Sequence, residues 1–357
     1  VDLRLTPRER ERIATAASVR VERPLRVPSL DEHEAETLVN GATHDLDAVC
    51  AVIHTSGTTS QPRPVELTYG NFLWSALGSG VALGVDPSER WLCALPLSHV
   101  GGLSILVRSV IYATTAVIHE RFDSGRVLTA LREEQITLVS LVSTTLARLL
   151  DAGLHHPSHL RWALTGGGPV PAALIERARE AGVPVVATYG LTEASSQVTT
   201  GGPPLFCTRL TLGEDGEIMV AGPTVARSAS SGDGFLHTGD LGRIDGEGFL
   251  QVSGRKAETI VSGGENVSPS EVEAVLEAFP GVIEAAVVGR EDPQWGEAVT
   301  AIVVVAPEQG PERSVGEGPL REHCAARLAP FKVPKRVELV TAPLPRTRSG
   351  KLLRREL

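Results

Sequence analysis

The chain has 357 residues and a formal net charge of −9 at pH 7, and 42% of its residues are hydrophobic. This length predicts two domains, because one domain commonly holds about 150 residues. The acidic balance disfavours a general nucleic-acid-binding protein, which gains affinity by neutralising phosphates with basic side chains. No apolar run reaches the roughly 20 residues that span a bilayer, and the amino end has no apolar secretory core. We therefore expect a cytoplasmic protein that works on small molecules, with neither a membrane nor a nucleic acid as partner.

Two groups of potential metal ligands lack metal-binding spacing. The four cysteines are far apart and include no Cys-x-x-Cys pair, which favours reduced thiols over a zinc site or a disulfide framework. The histidines of residues 155–159 are interrupted by Pro157, so regular helical spacing is lost and a surface turn is favoured.

Short apolar runs alternate with helical patterns in the first half of the chain. The runs that predict strands are 48–53, 138–142 and 183–187, and the patterns that predict helices are 71–82, 122–135 and 171–181. Such alternation is typical of an α/β fold with partly parallel sheets. Residues 78–84 contain several glycines, but their spacing does not fit the dinucleotide-binding pattern G-x-G-x-x-G.

The second half of the chain changes character. Residues 204–252 contain short apolar segments separated by glycine-rich turns, which predicts a small β-rich part. A domain boundary is expected at residue 255, where a large amino-terminal domain, 1–255, gives way to a small carboxyl-terminal α+β domain, 256–357. A helix is expected to begin in this second domain with Ser268 as its capping residue and Pro269 at its first position.

Four separated motifs carry the functional signal. They are the hydroxyl-rich loop at 55–59, Tyr-Gly-Leu-Thr-Glu at 189–193, Thr-Gly-Asp at 238–240 and Leu-Pro-Arg-Thr-Arg-Ser-Gly-Lys at 344–351. The loop follows an apolar strand, so its hydroxyls and amides can surround phosphate oxygens. It is not a Walker loop, because no Lys-Ser or Lys-Thr follows its last glycine.

These motifs, in this order, resemble the adenylate-forming superfamily of acyl-CoA synthetases, adenylation domains and luciferases. The resemblance extends from about residue 48 to the end. One departure lies in the phosphate loop, where Ser60, Arg63 and Pro64 stand in place of the usual Gly, Lys and Gly. Arg63 keeps the positive charge of the lysine. The loss of two glycines affects positions where backbone approaches a ligand closely.

The resemblance implies an ATP site with bound Mg²⁺. The implied ATP-binding residues are Thr55, Ser56, Gly57, Thr58, Thr59, Arg63, Gly166, Gly167, Gly168, Tyr189, Asp240 and Arg255. The aromatic face of Tyr189 suits adenine stacking, and the carboxylate of Asp240 suits the ribose hydroxyls. Glu193 is the implied magnesium ligand, because this hard cation prefers carboxylate oxygens.

Lys351 is the principal catalytic residue that the resemblance implies, together with Thr192, Glu193 and His99. Attack of a carboxylate on the α-phosphate develops negative charge, which a positioned ammonium stabilises. A thiol then attacks the mixed anhydride, so coenzyme A is the implied co-substrate.

Two half-reactions imply two arrangements of a mobile carboxyl-terminal domain. The position that resembles the hinge is Lys256, and Ser262, Gly263 and Gly264 resemble the lining of a tunnel for the pantetheine arm of coenzyme A. The implied acyl pocket consists of His99, Val100, Gly190, Ser195 and Ser196.

Among the branches of the superfamily, the chain most resembles the o-succinylbenzoate–CoA ligases of menaquinone biosynthesis. A ligase for another acyl or aryl acid and an adenylation enzyme that loads a carrier protein stay open as alternatives. A non-catalytic nucleotide-binding relic is a third alternative. Because the phosphate loop begins at residue 55, we expect a shortened amino-terminal region and a homodimer that covers the exposed face.

Overall fold

A computed structural model describes residues 43–55, 63–305, 315–346 and 352–357. The first element is an antiparallel hairpin of β1 (Val49–Thr55) and β2 (Arg63–Thr68), in which Thr55 lies opposite Arg63. The hairpin leads directly into helix α1 (Tyr69–Leu83). The apolar face of the hairpin packs against the first turn of α1 through Ile53, Val65 and Phe72.

A six-stranded sheet forms the centre of the amino-terminal region. Its strands are β3 (Arg90–Cys93), β4 (Thr115–Ile118), β5 (Leu138–Leu141), β6 (Trp162–Thr165), β7 (Val185–Leu191) and β8 (Ser196–Thr200). They lie in the order β4-β3-β5-β6-β7-β8, and all neighbouring pairs are parallel except β7 and β8. This sheet confirms the prediction of an α/β fold with partly parallel strands.

Helices connect the parallel strands of this sheet. They are α2 (Val100–Tyr112), α3 (Ser124–Glu133), α4 (Ser143–Asp151) and α5 (Ala172–Glu180). The largest hydrophobic cluster lies between the sheet and α3, α4 and α5, which is how a parallel sheet buries its faces. A second cluster, which includes Trp91 and Ile105, packs α2 on the sheet.

The predicted β-rich part is a four-stranded antiparallel sheet. Its strands are β9 (Arg209–Leu212), β10 (Glu217–Ala221), β11 (Leu236–Ile244) and β12 (Leu250–Arg255), in the order β12-β11-β10-β9. Its apolar face packs on Ala194 and Val198, which places it beside the end of β7.

The last hundred residues form a separate α+β unit. Its strands are β13 (Ile260–Ser262), β14 (Glu265–Val267), β15 (Val282–Asp292), β16 (Gly296–Val305) and β17 (Arg336–Val340), and its helices are α6 (Pro269–Glu277) and α7 (Glu317–Ala325). Within the described residues, no hydrophobic cluster contains members from both sides of residue 255. Each side therefore buries its own core.

Helix α6 begins where the sequence predicts, but its first turn is held differently. Ser268 occupies the position before the helix and makes no side-chain capping bond. Its hydroxyl donates to the carbonyl oxygen of Ser253 on β12, and the hydroxyl of Ser270 contacts the same oxygen. The serine expected to cap the helix thus ties the carboxyl-terminal unit to the preceding sheet.

None of the helices in the described part of the chain is long and apolar enough to cross a membrane.

Candidate active site

The antiparallel sheet and the end of β7 bring together three of the predicted nucleotide-binding residues. Asp240 on β11 lies directly opposite Arg255 on β12, and Arg255 Nε is 3.0 Å from Asp240 Oδ1. The hydroxyl of Tyr189, at the end of β7, donates to Asp240 Oδ2 over 2.9 Å. Burial raises the pKa of the Tyr189 hydroxyl, and the neighbouring Asp240 carboxylate raises it further. Tyr189 is therefore a proton donor at neutral pH, which holds the carboxylate in place.

Two residues that the sequence prediction missed hold the backbone at Asp240. The hydroxyl of Thr238 donates to the carbonyl of Ile218 over 2.8 Å and accepts from the Asp240 amide over 3.1 Å. Glu217 Oε1 accepts from the amide of Gly239 over 2.9 Å. Thr238 belongs to the quoted Thr-Gly-Asp motif, whereas nothing in the sequence near Glu217 indicates its role.

The glycine-rich segment after β6 lies beside β7. A Cβ atom on Gly166 would come within 2.6 Å of the carbonyl oxygen of Thr188, so only glycine fits there without displacing the backbone. Gly167 and Gly168 follow at the surface, where a Cβ on Gly168 would meet no atom within 4 Å. Gly166 thus packs against the backbone of Thr188, the residue before Tyr189, and the two glycines that follow it leave the surface there free of side chains.

An irregular turn follows Tyr189 and carries Thr192 and Glu193. After a short helical turn at Thr192–Ala194, Ser195 and Ser196 have φ angles of +53° and +92°. Residues other than glycine adopt such angles rarely and at a cost of order 1–3 kcal/mol. Gly190 makes the turn possible, because a Cβ there would lie 1.6 Å from the carbonyl oxygen of Ser196. Backbone strain of this kind clusters at functional sites.

Glu193 has the surroundings of a magnesium ligand. Its backbone carbonyl accepts from the amide of Ala226 over 2.8 Å, while its half-buried carboxylate has no hydrogen-bond donor or cation among the residues that the structure describes. Among all the residues that the structure describes, no cluster of three or more potential metal ligands exists. A single carboxylate fits Mg²⁺ that is held mainly by the phosphates of a substrate.

The predicted phosphate loop lies in the sequence between the two strands of the first hairpin. Thr55 and Arg63 stand at its two ends, with Thr55 Oγ1 donating to the Arg63 carbonyl over 3.5 Å. Strand β2 contacts the Thr192–Ala194 turn. The remaining predicted loop residues, Ser56, Gly57, Thr58 and Thr59, lie outside the described residues.

The residues predicted for the acyl pocket are only partly grouped. His99 is exposed at the start of α2, and Ser196 and Gly190 are half-buried in the turn. Val100 is buried in the cluster around Phe72. Ser195 is fully buried, and its hydroxyl donates to the Thr224 carbonyl over 2.9 Å. Val100 and Ser195 therefore contribute to packing beneath the turn.

The predicted hinge and tunnel residues all follow residue 255 closely, on the carboxyl-terminal side of the boundary. Lys256 Nζ is 2.5 Å from Asp215 Oδ2, and Asp215 is the main cause of the raised pKa of Lys256. Gly263 and Gly264, with φ angles of +62° and +85°, form the tight turn between β13 and β14. The hydroxyl of the preceding Ser262 is buried and has no partner in the described part of the structure.

Lys351 lies outside the described residues, but the segments on either side of it are paired. Arg346 and Leu352 form an isolated antiparallel bridge, and the Leu353 amide donates to the Pro345 carbonyl over 2.9 Å. Beyond them, Arg354 contacts Glu273 through both terminal nitrogens. The flanks of Lys351 therefore belong to the carboxyl-terminal unit.

Comparison with known proteins identifies the family. The model of the AMP-binding enzyme family matches residues 4–228, and that of the AMP-binding enzyme C-terminal domain matches residues 271–351. The chain belongs to the AMP-binding enzyme family. The second match spans α6 to Lys351, and so it covers most of the carboxyl-terminal α+β unit.

Curated members of the AMP-binding enzyme family are similar over most of the chain. The 2-succinylbenzoate–CoA ligase of Bacillus subtilis (strain 168) is 41% identical over 361 residues, which cover 93% of this chain and 73% of that protein. The corresponding ligase of Listeria monocytogenes serotype 4b is 38% identical over 349 residues, covering 91% of this chain and 73% of the relative.

Solved structures of the family share the fold. The o-succinylbenzoate CoA synthetase of Bacillus subtilis in complex with its acyl-adenylate intermediate matches 100% of this chain and 81% of its own, with a TM-score of 0.84 and 36% identity. The same enzyme with ATP and a magnesium ion also has a TM-score of 0.84 and 36% identity, over 100% of this chain and 83% of its own. ATP-bound MatB from Rhodopseudomonas palustris is 29% identical with a TM-score of 0.79, over 87% and 68%.

Proposed function

We propose that this AMP-binding enzyme activates o-succinylbenzoate with ATP and transfers the acyl group to coenzyme A. The observation that carries the proposal is the 41% identity with a 2-succinylbenzoate–CoA ligase over 93% of the chain. The grouping of Tyr189, Asp240 and Arg255 beside a strained turn supports it, because this arrangement suits a nucleotide next to a reacting centre.

The first half-reaction forms the acyl adenylate. A carboxylate oxygen of the acid attacks the α-phosphorus of ATP, a new oxygen–phosphorus bond forms, and the bond to the β-phosphate breaks with release of pyrophosphate. We assign Asp240 and Arg255 to the ribose and phosphate, Tyr189 and the glycines after β6 to adenine, and Thr192 to the reacting phosphate. Magnesium supplies positive charge that neutralises the phosphate oxygens, and Glu193 is the residue that would hold it.

The second half-reaction transfers the acyl group. The thiol of coenzyme A releases its proton to solvent and attacks the acyl carbonyl. A carbon–sulfur bond forms, the bond between the acyl carbon and the phosphate oxygen breaks, and AMP leaves. No covalent enzyme nucleophile is needed, because the anhydride already stores the energy. We assign Lys351 to the first half-reaction, where its ammonium would stabilise the negative charge that develops on the α-phosphate, since a positioned cation stabilises a transition state of this kind.

A division into domains 1–255 and 256–357 is part of the proposal. It is supported by the separate hydrophobic cores on the two sides of residue 255. Lys256 would be the hinge, and its partner Asp215 lies on the amino-terminal side. A rotation there replaces exposed ion pairs, which contribute little stability, and leaves both cores intact.

The deciding experiment is a panel of carboxylic acids assayed for pyrophosphate release with ATP and magnesium, with and without coenzyme A. We expect thioester formation that requires coenzyme A and is strongest with o-succinylbenzoate. Turnover of a different acid would support the proposed reaction but contradict the proposal that o-succinylbenzoate is the substrate. Acylation of a carrier protein in preference to coenzyme A would favour the loading enzyme, and no pyrophosphate release with any acid would favour a nucleotide-binding relic.

The homodimer and the cytoplasmic location stay predictions from the sequence. Light scattering on the purified chain tests the first, and cell fractionation tests the second.

A further inference from the structure

Helix α1 presents a row of polar side chains next to the turn that carries Thr192 and Glu193. Asn71, Ser75 and Ser79 recur every four residues, so they share one face of the helix. All three are buried, and Ser75 is only 1% exposed. Burying a polar group costs stability unless it forms a hydrogen bond. The partners of these side chains therefore indicate why they are present.

Ser75 joins a buried arginine to the strained turn. Arg108 on α2 donates from Nη2 to Ser75 Oγ over 3.1 Å, and Ser75 Oγ donates to the carbonyl oxygen of Ser195 over 2.6 Å. A guanidinium has donors only, so the Ser75 hydroxyl must accept from Arg108 and direct its own proton to Ser195. The direction of the bond to the turn is thereby determined.

Burial of the Arg108 guanidinium costs folding free energy. It is 3% exposed, no carboxylate pairs with it among the described residues, and its Nε has no partner there. Its guanidinium carbon lies 5.6 Å from the centre of the Trp91 ring. Burial lowers the pKa of Arg108 to about 10. A buried cation whose strongest directional contact is Ser75 contributes orientation more than stability.

Asn71 holds a neighbouring segment that supports the same turn. Its Nδ2 donates to the carbonyls of Pro223 and Val225, over 2.8 and 3.1 Å. The next residue, Ala226, donates its amide to the Glu193 carbonyl over 2.8 Å. One face of α1 therefore holds both the turn and the segment that supports it.

We propose that Ser75, oriented by Arg108, is a positioning residue for the turn from Leu191 to Ser196. A left-handed Ser195 persists only where its surroundings determine its conformation, and the bond from Ser75 is one of those determinants. Without it, the turn relaxes and Thr192 and Glu193 no longer meet the phosphates in the required geometry. The catalytic part of this inference rests on the proposed function.

The test compares Ser75→Ala with Ser79→Ala and Ser75→Thr. Ser79 is the matched control, because it is fully buried on the same face and bonds no residue of the turn within the described structure. Two readouts are used: amide hydrogen exchange of the peptide that covers residues 191–198, and kcat and KM for ATP in pyrophosphate release.

We expect faster exchange in that peptide alone for Ser75→Ala, and a kcat about tenfold lower, as for loss of one buried hydrogen bond. The KM for ATP should change less than kcat, because Asp240 is also held by Thr238 and Arg255, which lie outside the turn. Ser79→Ala should match the wild type, and Ser75→Thr, which keeps a hydroxyl, should recover both readouts.

Three results would overturn the proposal. They are unchanged exchange in Ser75→Ala, faster exchange spread over the whole amino-terminal region, and faster local exchange with an unchanged kcat. Hydrogen exchange needs no substrate. An enzyme that is inactive with every acid would therefore refute the proposed function, and the exchange data would still show whether Ser75 positions the turn.

Discussion

The two regions that supply the candidate site are held together in different ways. Around Asp240, strand register and short bonds from Tyr189 and Thr238 determine the geometry. Around Lys351, the flanking segments are held by ion pairs of Arg346 with Glu284 and of Arg354 with Glu273 and Glu258. A β-ladder does not depend on ionisation, whereas ion pairs weaken with salt and with protonation. Asp240 also pairs with Arg255, and the flanks of Lys351 share a backbone bridge, so the contrast is one of degree. The nucleotide end should be less sensitive than the tail to salt and to protonation.

The largest expected effect comes from the tail. Lys351→Ala should lower the rate of adenylation about 100- to 1,000-fold, because it removes a cation from the point where charge develops. Thioester formation from a supplied acyl adenylate should be affected much less. Rapid-quench measurement of each half-reaction separates the two.

Lys332→Ala is the control for net charge, since Lys332 pairs with Glu271 on α6 and has no assigned role. An adenylation rate that is the same in Lys351→Ala and the wild type would remove Lys351 from the mechanism.

The next effect concerns how the stability of the carboxyl-terminal unit depends on pH. Burial raises the pKa of Glu277, which lies near Arg346, from 4.5 to about 7. The folded protein therefore keeps this proton where the unfolded chain has lost it, so the wild type loses stability as pH rises from about 4.5 to 7. Glu277→Gln should be more stable than the wild type by up to about 3 kcal/mol at pH 8 and equal to it near pH 4.

Urea denaturation at several pH values measures this difference. The control is Glu322→Gln, because Glu322 is an exposed glutamate on α7 of the same unit. A gain that is the same at pH 5 and pH 8 would show that ionisation of Glu277 is not its cause.

The smallest of the three effects concerns the nucleotide end. Asp240→Asn should raise the KM for ATP about 10- to 30-fold, because a charged hydrogen-bonding group contributes roughly 1.5–3 kcal/mol. The increase should hardly change between pH 6 and pH 9. Asp245→Asn, in an exposed turn after β11, is the control, and an ATP affinity that falls equally in both variants would contradict the role of Asp240.

Much of the fold could be predicted from local pattern. The strands at 48–53 and 138–142 and the helices at 122–135 and 171–181 were found within a few residues, because the burial of one face leaves a periodic trace in the sequence. The helix at residue 269 was also found, but the role of Ser268 was wrong. Its partner, the carbonyl of Ser253, lies on another element, and only packing brings the two together.

By itself, the sequence determined the α/β class, the β-rich part and the family, since these depend on periodicity and on the order of motifs along the chain. Tertiary structure alone decided which residues meet. Tyr189 bonds Asp240 across 51 positions, and Ser75 bonds Ser195 across 120. Such pairs depend on strand register and helix packing, and neither is encoded in the residues close to any one of the four partners.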